Sequence, residues 1–175
     1  PDLNEVLQIT LEFVDEGDPG SDDLVLYISS DHAGSVAGID YKPADILGYN
    51  LDTGDWSVVL DGSDLGIVTN NLRAFDWMAD GALLVSYAYP MWIEGLGWVD
   101  DSDIVKFPPS ELGVTSAGSF EWYVDGSDVG LSRQGEDIDG LNIAPNGDLI
   151  ISTRGGHYVD GISGRDEDLI RFTPT

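Results

Sequence analysis

The chain has 175 residues and a formal net charge of −26, from 33 Asp and Glu against 7 Lys and Arg. So acidic a surface repels nucleic acid and anionic lipid, which makes both poor partners. A hydrophobic content of 42% with five Trp excludes a disordered chain. The absence of Cys excludes disulfides and thiolate metal sites, and no apolar run approaches the ~20 residues of a membrane span.

The acidity has two interpretations, and the sequence leaves both open. One is a solvated acidic coat, as in a protein from a salty medium. The other is a set of carboxylates that bind Ca²⁺, a hard cation that takes oxygen ligands. Both can hold at once, and Ca²⁺ is the cofactor that we consider for this chain.

The sequence contains three similar units, and the first of them matches the other two least closely. It contains an apolar strand, a pair of serines, a glycine-rich loop and then Asp45, in the order LYISSDHAGSVAGIDYKPADILGYN over residues 26–50. The segment that follows, WSVVLDGSDLGI, begins at Trp56 and carries the tetrapeptide DGSD at 61–64.

The second unit shows the strand pattern most clearly. Short apolar runs with turn signals between them predict strands over 72–78, 82–89, 103–107 and 119–125. The tripeptide ADG joins the first two, and PNG stands at the same place in the third unit, because glycine accepts the positive φ that hairpin turns need. Four antiparallel strands in each unit are typical of a propeller blade.

The third unit aligns with the second, so the chain is internally repeated. LNIAPNGDLIIST falls on FDWMADGALLVSY, and DGSD recurs at 125–128, 64 residues after its first occurrence. Asp45, Asp103 and Asp168 recur after 58 and 65 residues. Such periods indicate a propeller or a solenoid. We predict an all-β, β-propeller-type single repeat domain over 1–175, with three blades over approximately 2–63, 64–127 and 128–175.

The motifs of these units also carry a resemblance. The pattern W-x-x-(V/L)-DGSDVGL, followed by EDIDGL-x-I-x-P-x-GDLIIST and DEDLIRFTPT, resembles the blade repeat of a family of secreted bacterial β-propeller-like proteins of mostly unassigned function. The resemblance covers nearly the whole chain and is clearest from 61 to 175. It implies a propeller-type fold and an exported, extracellular or cell-surface protein, and it brings no catalytic residues.

Most of the candidate metal ligands lie on one predicted face. The loops between second and third strands and the links between blades emerge at the same end of each blade, and together they hold more than half of the Asp and Glu. For DGSD we favour a structural turn over a Ca²⁺ site, since the spacing differs from the EF-hand loop. The metal-ligand candidates are Asp61, Asp64, Asp100, Asp101, Asp103, Asp125, Asp128, Asp166 and Asp168.

Histidines and aromatic residues give the other candidate sites. His32 and His157 are the only histidines, and we favour turn positions for them over a metal or acid–base site. The aromatic cluster of Tyr87, Tyr89, Trp92 and Trp98 caps the packing of the blades if it is buried, and stacks on sugar rings or inserts into a partner if it is exposed. On the second interpretation Tyr89, Trp92 and Trp98 are the candidate ligand-binding residues. The repeat tryptophans, Trp56 and Trp122, are predicted to be core residues.

No catalytic motif stands out. The chain has no G-x-S-x-G, no Cys and no P-loop. Our first hypothesis is a non-enzymatic exported repeat protein that acts in an extracellular or cell-surface assembly and is stabilised by Ca²⁺. The alternatives are a module that binds polysaccharide or another surface ligand, and a Ca²⁺-dependent propeller hydrolase or lactonase.

The ends of the chain suggest an incomplete ring. The third unit stops at DLIRFTPT after its third strand, and three blades are fewer than the ~4–8 that close a propeller. We therefore expect another copy, in a ring or a head-to-tail filament, or a longer parent chain to complete the last blade by strand addition. The first residue is Pro1 rather than Met, which fits a removed leader or a fragment.

Overall fold

The computed structural model describes residues 6–11, 24–159 and 161–173. In these residues the regular elements are β-strands and short 3-10 turns, without an α-helix, so the all-β prediction is confirmed. No helix in the described chain is long and apolar enough to cross a membrane. The strands are β1 (Val6–Leu11), β2 (Val25–Ser30), β3 (Gly34–Val36), β4 (Ile39–Tyr41), β5 (Ile46–Asn50), β6 (Trp56–Leu60), β7 (Leu72–Trp77), β8 (Leu83–Tyr87), β9 (Met91–Ile93), β10 (Gly97–Val99), β11 (Ile104–Phe107), β12 (Pro109–Glu111), β13 (Ala117–Gly118), β14 (Glu121–Val124), β15 (Ile138–Ile143), β16 (Leu149–Thr153), β17 (His157–Val159), β18 (Ile162–Gly164) and β19 (Ile170–Phe172).

Three main sheets follow one another along the chain, each an antiparallel meander. The first has the order β1-β2-β5-β6, the second β7-β8-β11-β14 and the third β15-β16-β19. The four strands predicted for the second unit are therefore all present, each a little shorter than predicted. None of the described sheets is closed on itself.

The segments predicted as long loops between second and third strands are short hairpins. They are β3–β4, β9–β10 and β17–β18, each a separate two-stranded sheet. The glycine-rich composition that indicated loops serves the hairpin turns, where Gly38, Gly95 and Gly161 adopt φ of 83°, 88° and 86°. A fourth hairpin, β12–β13, occurs in the second unit, and its Gly113 N–H donates to the carbonyl of Val59 in the first sheet at 2.9 Å.

The second sheet is packed on both faces. Because side chains alternate along a strand, Val85 of β8 lies in a core cluster with Ile46 of the first sheet, whereas the adjacent Leu84 lies in a cluster with Ile151 of the third. The first strands also meet, since β7 contacts both β1 and β15. The three sheets therefore stack in chain order, with β1, β7 and β15 side by side in one row.

One repeat position is buried in the first two sheets but exposed in the third. The residue after the repeated aspartate is Ile46, Ile104 or Leu169, and its exposed fraction is 0%, 1% and 70% respectively. Ile46 lies in the cluster between the first two sheets and Ile104 in the cluster between the second and third. In the described residues no further sheet covers Leu169.

This difference predicts unequal costs for the same substitution. Ile104→Ala removes fully buried methyl groups and should lower the free energy of unfolding by about 2–5 kcal/mol. Leu169→Ala, at the equivalent position, should change it by no more than about 0.5 kcal/mol. Urea unfolding at low protein concentration measures both, and equal costs would contradict the exposure of Leu169.

Candidate functional site

An aspartate turn precedes the third strand of every sheet. Asp45, Asp103 and Asp168 each accept a hydrogen bond, through Oδ2, from the backbone N–H three residues earlier, at 2.8, 2.7 and 2.9 Å. Each aspartate also donates its own N–H to the carbonyl of that same residue. One local structure therefore occurs three times, as the repeat predicts.

In the first two sheets the other carboxylate oxygen reaches the end of the fourth strand. Oδ1 of Asp45 accepts from the Gly62 N–H at 2.9 Å, and Oδ1 of Asp103 accepts from the Gly126 N–H at 2.8 Å. A Cβ on either glycine would lie 2.4–2.5 Å from the backbone of the residue before the aspartate, so only glycine allows this approach. The aspartate thus fastens the third strand to the fourth.

The two DGSD segments are 3-10 turns rather than open loops. Gly62–Leu65 and Gly126–Val129 are each capped by the aspartate before them, which accepts from the N–H and the hydroxyl of the serine two residues on. This capping supports the structural interpretation of Asp61 and Asp125. Of the remaining candidates in the two turns, Asp64 accepts from the Ser116 N–H at 2.9 Å, and Asp128 is exposed.

The outer members of the carboxylate row at 100–103, Asp100 and Asp103, accept hydrogen bonds from backbone N–H groups. Asp100 accepts from the N–H and hydroxyl of Ser102 at 2.9 and 2.7 Å. Burial raises the pKa of Asp103 to about 6, against the effect of its two N–H donors, and the charges of Asp100 and Asp125 add to the rise. Burial also raises the pKa of Asp101, with the charge of Asp137 adding to it.

The described carboxylates do not form a calcium cage. In that part of the chain no group of three or more His, Asp and Glu side chains is arranged to hold a metal ion. Asp166 and Asp168 in the third unit are exposed. The described residues therefore show no preformed Ca²⁺ cage, and stabilisation by Ca²⁺ stays a prediction.

The raised pKa of Asp103 predicts a specific pH dependence. Because the folded value of about 6 exceeds the ordinary value of 3.8, the native state binds this proton more tightly. The contribution of the carboxyl to stability is then full below pH 3.8 and is lost as the pH rises through about 6. We expect the stability advantage of the wild type over Asp103→Asn to shrink between pH 4 and pH 7. Carbon-detected NMR titration checks the midpoint, and one near pH 4 would contradict the burial argument.

The aromatic candidates are split between the surface and the core. Trp92 of β9 and Trp98 of β10 are directly opposite each other, with ring centroids 6.1 Å apart in a T-shaped pair and exposed fractions of 63% and 69%. Tyr89 is exposed, but Tyr87 is fully buried in β8. The hairpin thus presents a tryptophan pair to solvent.

Two predictions about single residues are wrong. Trp122 is not a core residue: its side chain is 40% exposed, because β14 is the outermost strand of the second sheet. His157 is not in a turn: it is buried in β17, with Nδ1 at 3.3 Å from the Thr153 hydroxyl. His32 is exposed at a bend beside Asp31. The other repeat tryptophan, Trp56, is partly buried against the ring of Tyr49.

A polar cleft that sequence reasoning missed lies where the three sheets meet. Its volume is about 270 Å³. It is formed where first strands begin and second strands end, so every unit contributes to it. Its lining residues are Asp31, Asn71, Arg73, Tyr89, Asp139 and Arg154.

Charges of both signs alternate around this cleft. Arg73 and Arg154 share one carboxylate oxygen of Asp137, at 3.5 and 4.0 Å, while Asp139 accepts from the Ser152 hydroxyl at 2.7 Å. Two of the chain's seven basic residues are therefore at one place in a very acidic protein. The signal available in the sequence was that Arg73 and Asp139 occupy the same repeat position with opposite charge.

Comparison with known proteins adds little. No family model and no curated protein matches the chain. Among solved structures, the extracellular domain of a putative one-component system from B. thetaiotaomicron is similar over 85% of this chain, with 9% identity and a TM-score of 0.40. The chain spans 20% of that protein's length. At that level the similarity carries neither fold nor function over to this chain.

Proposed function

We propose that the chain is a non-enzymatic, exported β-propeller-like repeat protein that acts as a structural unit in an extracellular or cell-surface assembly. The observation that carries the proposal is the exposed fraction of Leu169, 70%, at a position that is buried in both preceding sheets. The face of the third sheet that carries Leu169 corresponds to faces of the first two sheets that are covered by a neighbouring sheet. Because it is uncovered in the described residues, it is suited to contact with a further sheet.

Several features support the propeller part of the proposal. Successive antiparallel meanders, two of four strands and one of three, stack face to face, and their first strands form one row, which resembles the arrangement of propeller blades. Three such sheets are too few to close a ring. The remaining blades would come from further copies or from a longer parent chain. The location outside the cell rests on the resemblance of the repeat to secreted proteins.

The native mass tests the assembly. We expect light scattering coupled to size-exclusion chromatography to give multiples of 18.8 kDa, rising with concentration. Leu169→Asp places a charge on the uncovered face and should shift the protein towards the monomer. Val114→Asp, at a residue that is also exposed but lies in the β12–β13 hairpin, is the matched control and should leave the mass unchanged. A monomer at every concentration would contradict self-assembly.

The same samples test whether Ca²⁺ stabilises the protein. Melting in CaCl₂, in EDTA and in NaCl at matched ionic strength separates binding from screening. We expect Ca²⁺ to raise the melting temperature more than NaCl does, because a divalent ion neutralises neighbouring carboxylates in pairs. Equal shifts would reduce the effect to screening.

A second candidate function is favoured by the exposed tryptophan pair and the polar cleft. We propose binding of a polysaccharide, with Trp92 and Trp98 stacking on sugar rings. The hydroxyl groups of the sugar would hydrogen-bond to Arg73, Asp139 and Asn71, beside the ring of Tyr89.

Retention on polysaccharide columns tests this candidate. Trp98→Ala should weaken binding by about 2–10-fold, in line with the loss of one aromatic contact. Trp122→Ala removes another exposed tryptophan, on β14, and should have no effect. Equal losses in the two variants, or no retention of the wild type, would count against sugar binding by the hairpin.

A further inference from the structure

Each first strand has one more residue than its partner strand at the same repeat position, as in a β-bulge. In β7 the extra residue is Arg73, and in β15 it is Asp139. The register of β1 shifts at the equivalent place, residue 7. A bulge turns the side chain of its extra residue out of the regular alternation, and both Arg73 and Asp139 line the polar cleft where the three sheets meet. The repeat therefore places one guanidinium and one carboxylate at this cleft.

The arginines of the cleft are weakly neutralised by the protein. Arg73 and Arg154 both pair with Oδ2 of Asp137, at 3.5 and 4.0 Å. A strong hydrogen bond between a guanidinium and a carboxylate is about 2.7–2.9 Å long and is often bidentate, so neither pair has that geometry. The Arg73 side chain is only 11% exposed, so solvent screens its charge less than it would at the surface. The two guanidiniums can therefore accommodate a further planar oxyanion.

The carboxylate at the bulge of β15 has no basic partner. Asp139 is half-buried, and its Oδ1 accepts from the Ser152 hydroxyl at 2.7 Å. Among the described residues no Lys, Arg or His, the two cleft arginines included, forms an ion pair with it. The other acidic lining residue, Asp31, has its Oδ1 at 2.5 Å from Nδ1 of His32. Asp139 is therefore the acceptor that remains for a positively charged group.

The wall beside these charges is fixed by hydrogen bonds to its backbone. Asn70 is buried, and its side-chain amide accepts from the Tyr89 N–H at 3.1 Å and donates to the Tyr89 carbonyl at 2.6 Å. The side chain of Tyr89 is exposed and lines the cleft together with Asn71. A volume of about 270 Å³ is slightly below the ~300–1,000 Å³ of typical small-molecule sites. The cleft is therefore suited to a small molecule with a short apolar part.

The signs of the charges favour one class of ligand. A simple anion would meet the carboxylates of Asp139 and Asp31, and a simple cation would meet two guanidiniums. A neutral sugar can hydrogen-bond to all of these groups but neutralises none of them. A zwitterion supplies a carboxylate for the arginines and an ammonium group for Asp139. Because its net charge is zero, it is not repelled by a protein with a net charge of −26.

We propose that the cleft binds a small zwitterion of the α-amino-acid type. Its carboxylate bonds to Arg73 and Arg154, its ammonium group donates to Asp139, and its side chain lies beside the ring of Tyr89. All three sheets contribute lining residues, so the site forms only when they are stacked. The inference goes beyond both proposed functions, since assembly does not involve the cleft and the polysaccharide candidate needs no charge in its ligand.

Derivatives of one ligand test the need for both charges on the unmodified full chain. The common L-amino acids are screened by thermal shift. The one with the largest shift is then titrated by calorimetry beside its N-acetyl derivative and its carboxamide. We expect a single saturable site for the amino acid. Each derivative keeps the side chain but loses one charge, and should bind about tenfold or more weakly.

Protein variants test the location of the site. Arg73→Gln and Asp139→Asn should each weaken binding about tenfold or more. Arg133→Gln is the matched control, because it removes an arginine that lies over the ring of Tyr158 outside the cleft, and it should leave the affinity unchanged. Thermal melts show whether each variant is folded, and the titrations of the derivatives need no variant.

The proposal is overturned if the wild type binds no amino acid, if either derivative binds as tightly as the amino acid, or if Arg133→Gln costs as much affinity as Arg73→Gln. Retention on a neutral polysaccharide without amino-acid binding would overturn it and leave the polysaccharide candidate standing. Amino-acid binding with the expected losses, by a protein that no polysaccharide column retains, would support it and contradict that candidate.

Discussion

The hydrogen bond between an aspartate carboxylate and a glycine N–H is the contact on which each complete sheet depends. In the first two sheets it joins the start of the third strand to the end of the fourth across 17 and 23 residues of chain. It is buried, so it acts in a medium where an unpaired acceptor is costly. The glycine is required because the residue before the aspartate leaves no room for a Cβ.

Face-to-face stacking follows from that local order. Once the strand ends are fixed, alternate residues of the second sheet face opposite neighbours, and both of its faces are covered. The third sheet has the same pattern of side chains with only one covered face. Its exposed Leu169 and its unpaired edge are therefore two consequences of one condition, the absence of a further strand and sheet from the described chain.

Many carboxylates in the described part of the chain are stabilised by hydrogen bonds from nearby groups. Asp100, Asp103 and Asp125 accept hydrogen bonds from backbone amides, and Asp100 and Asp125 also accept from serine hydroxyls. This arrangement satisfies carboxylate oxygens without basic partners, of which the chain has only seven. Two of those, Arg73 and Arg154, are placed together in the cleft where the sheets meet, which makes the cleft chemically unlike the rest of the surface.

The sequence by itself determined the repeat, the all-β class and the turns at the two DGSD segments. These depend on local chemistry: alternation along strands, glycine at positive φ, and carboxylates close in sequence to the amides they accept from. Only the tertiary structure decided that Trp122 is exposed, that Tyr87 is buried and that Arg73 faces Arg154 across Asp137. Those properties depend on which sheet lies against which face. A one-dimensional pattern gives the alternation of a strand but not the neighbour that covers each side.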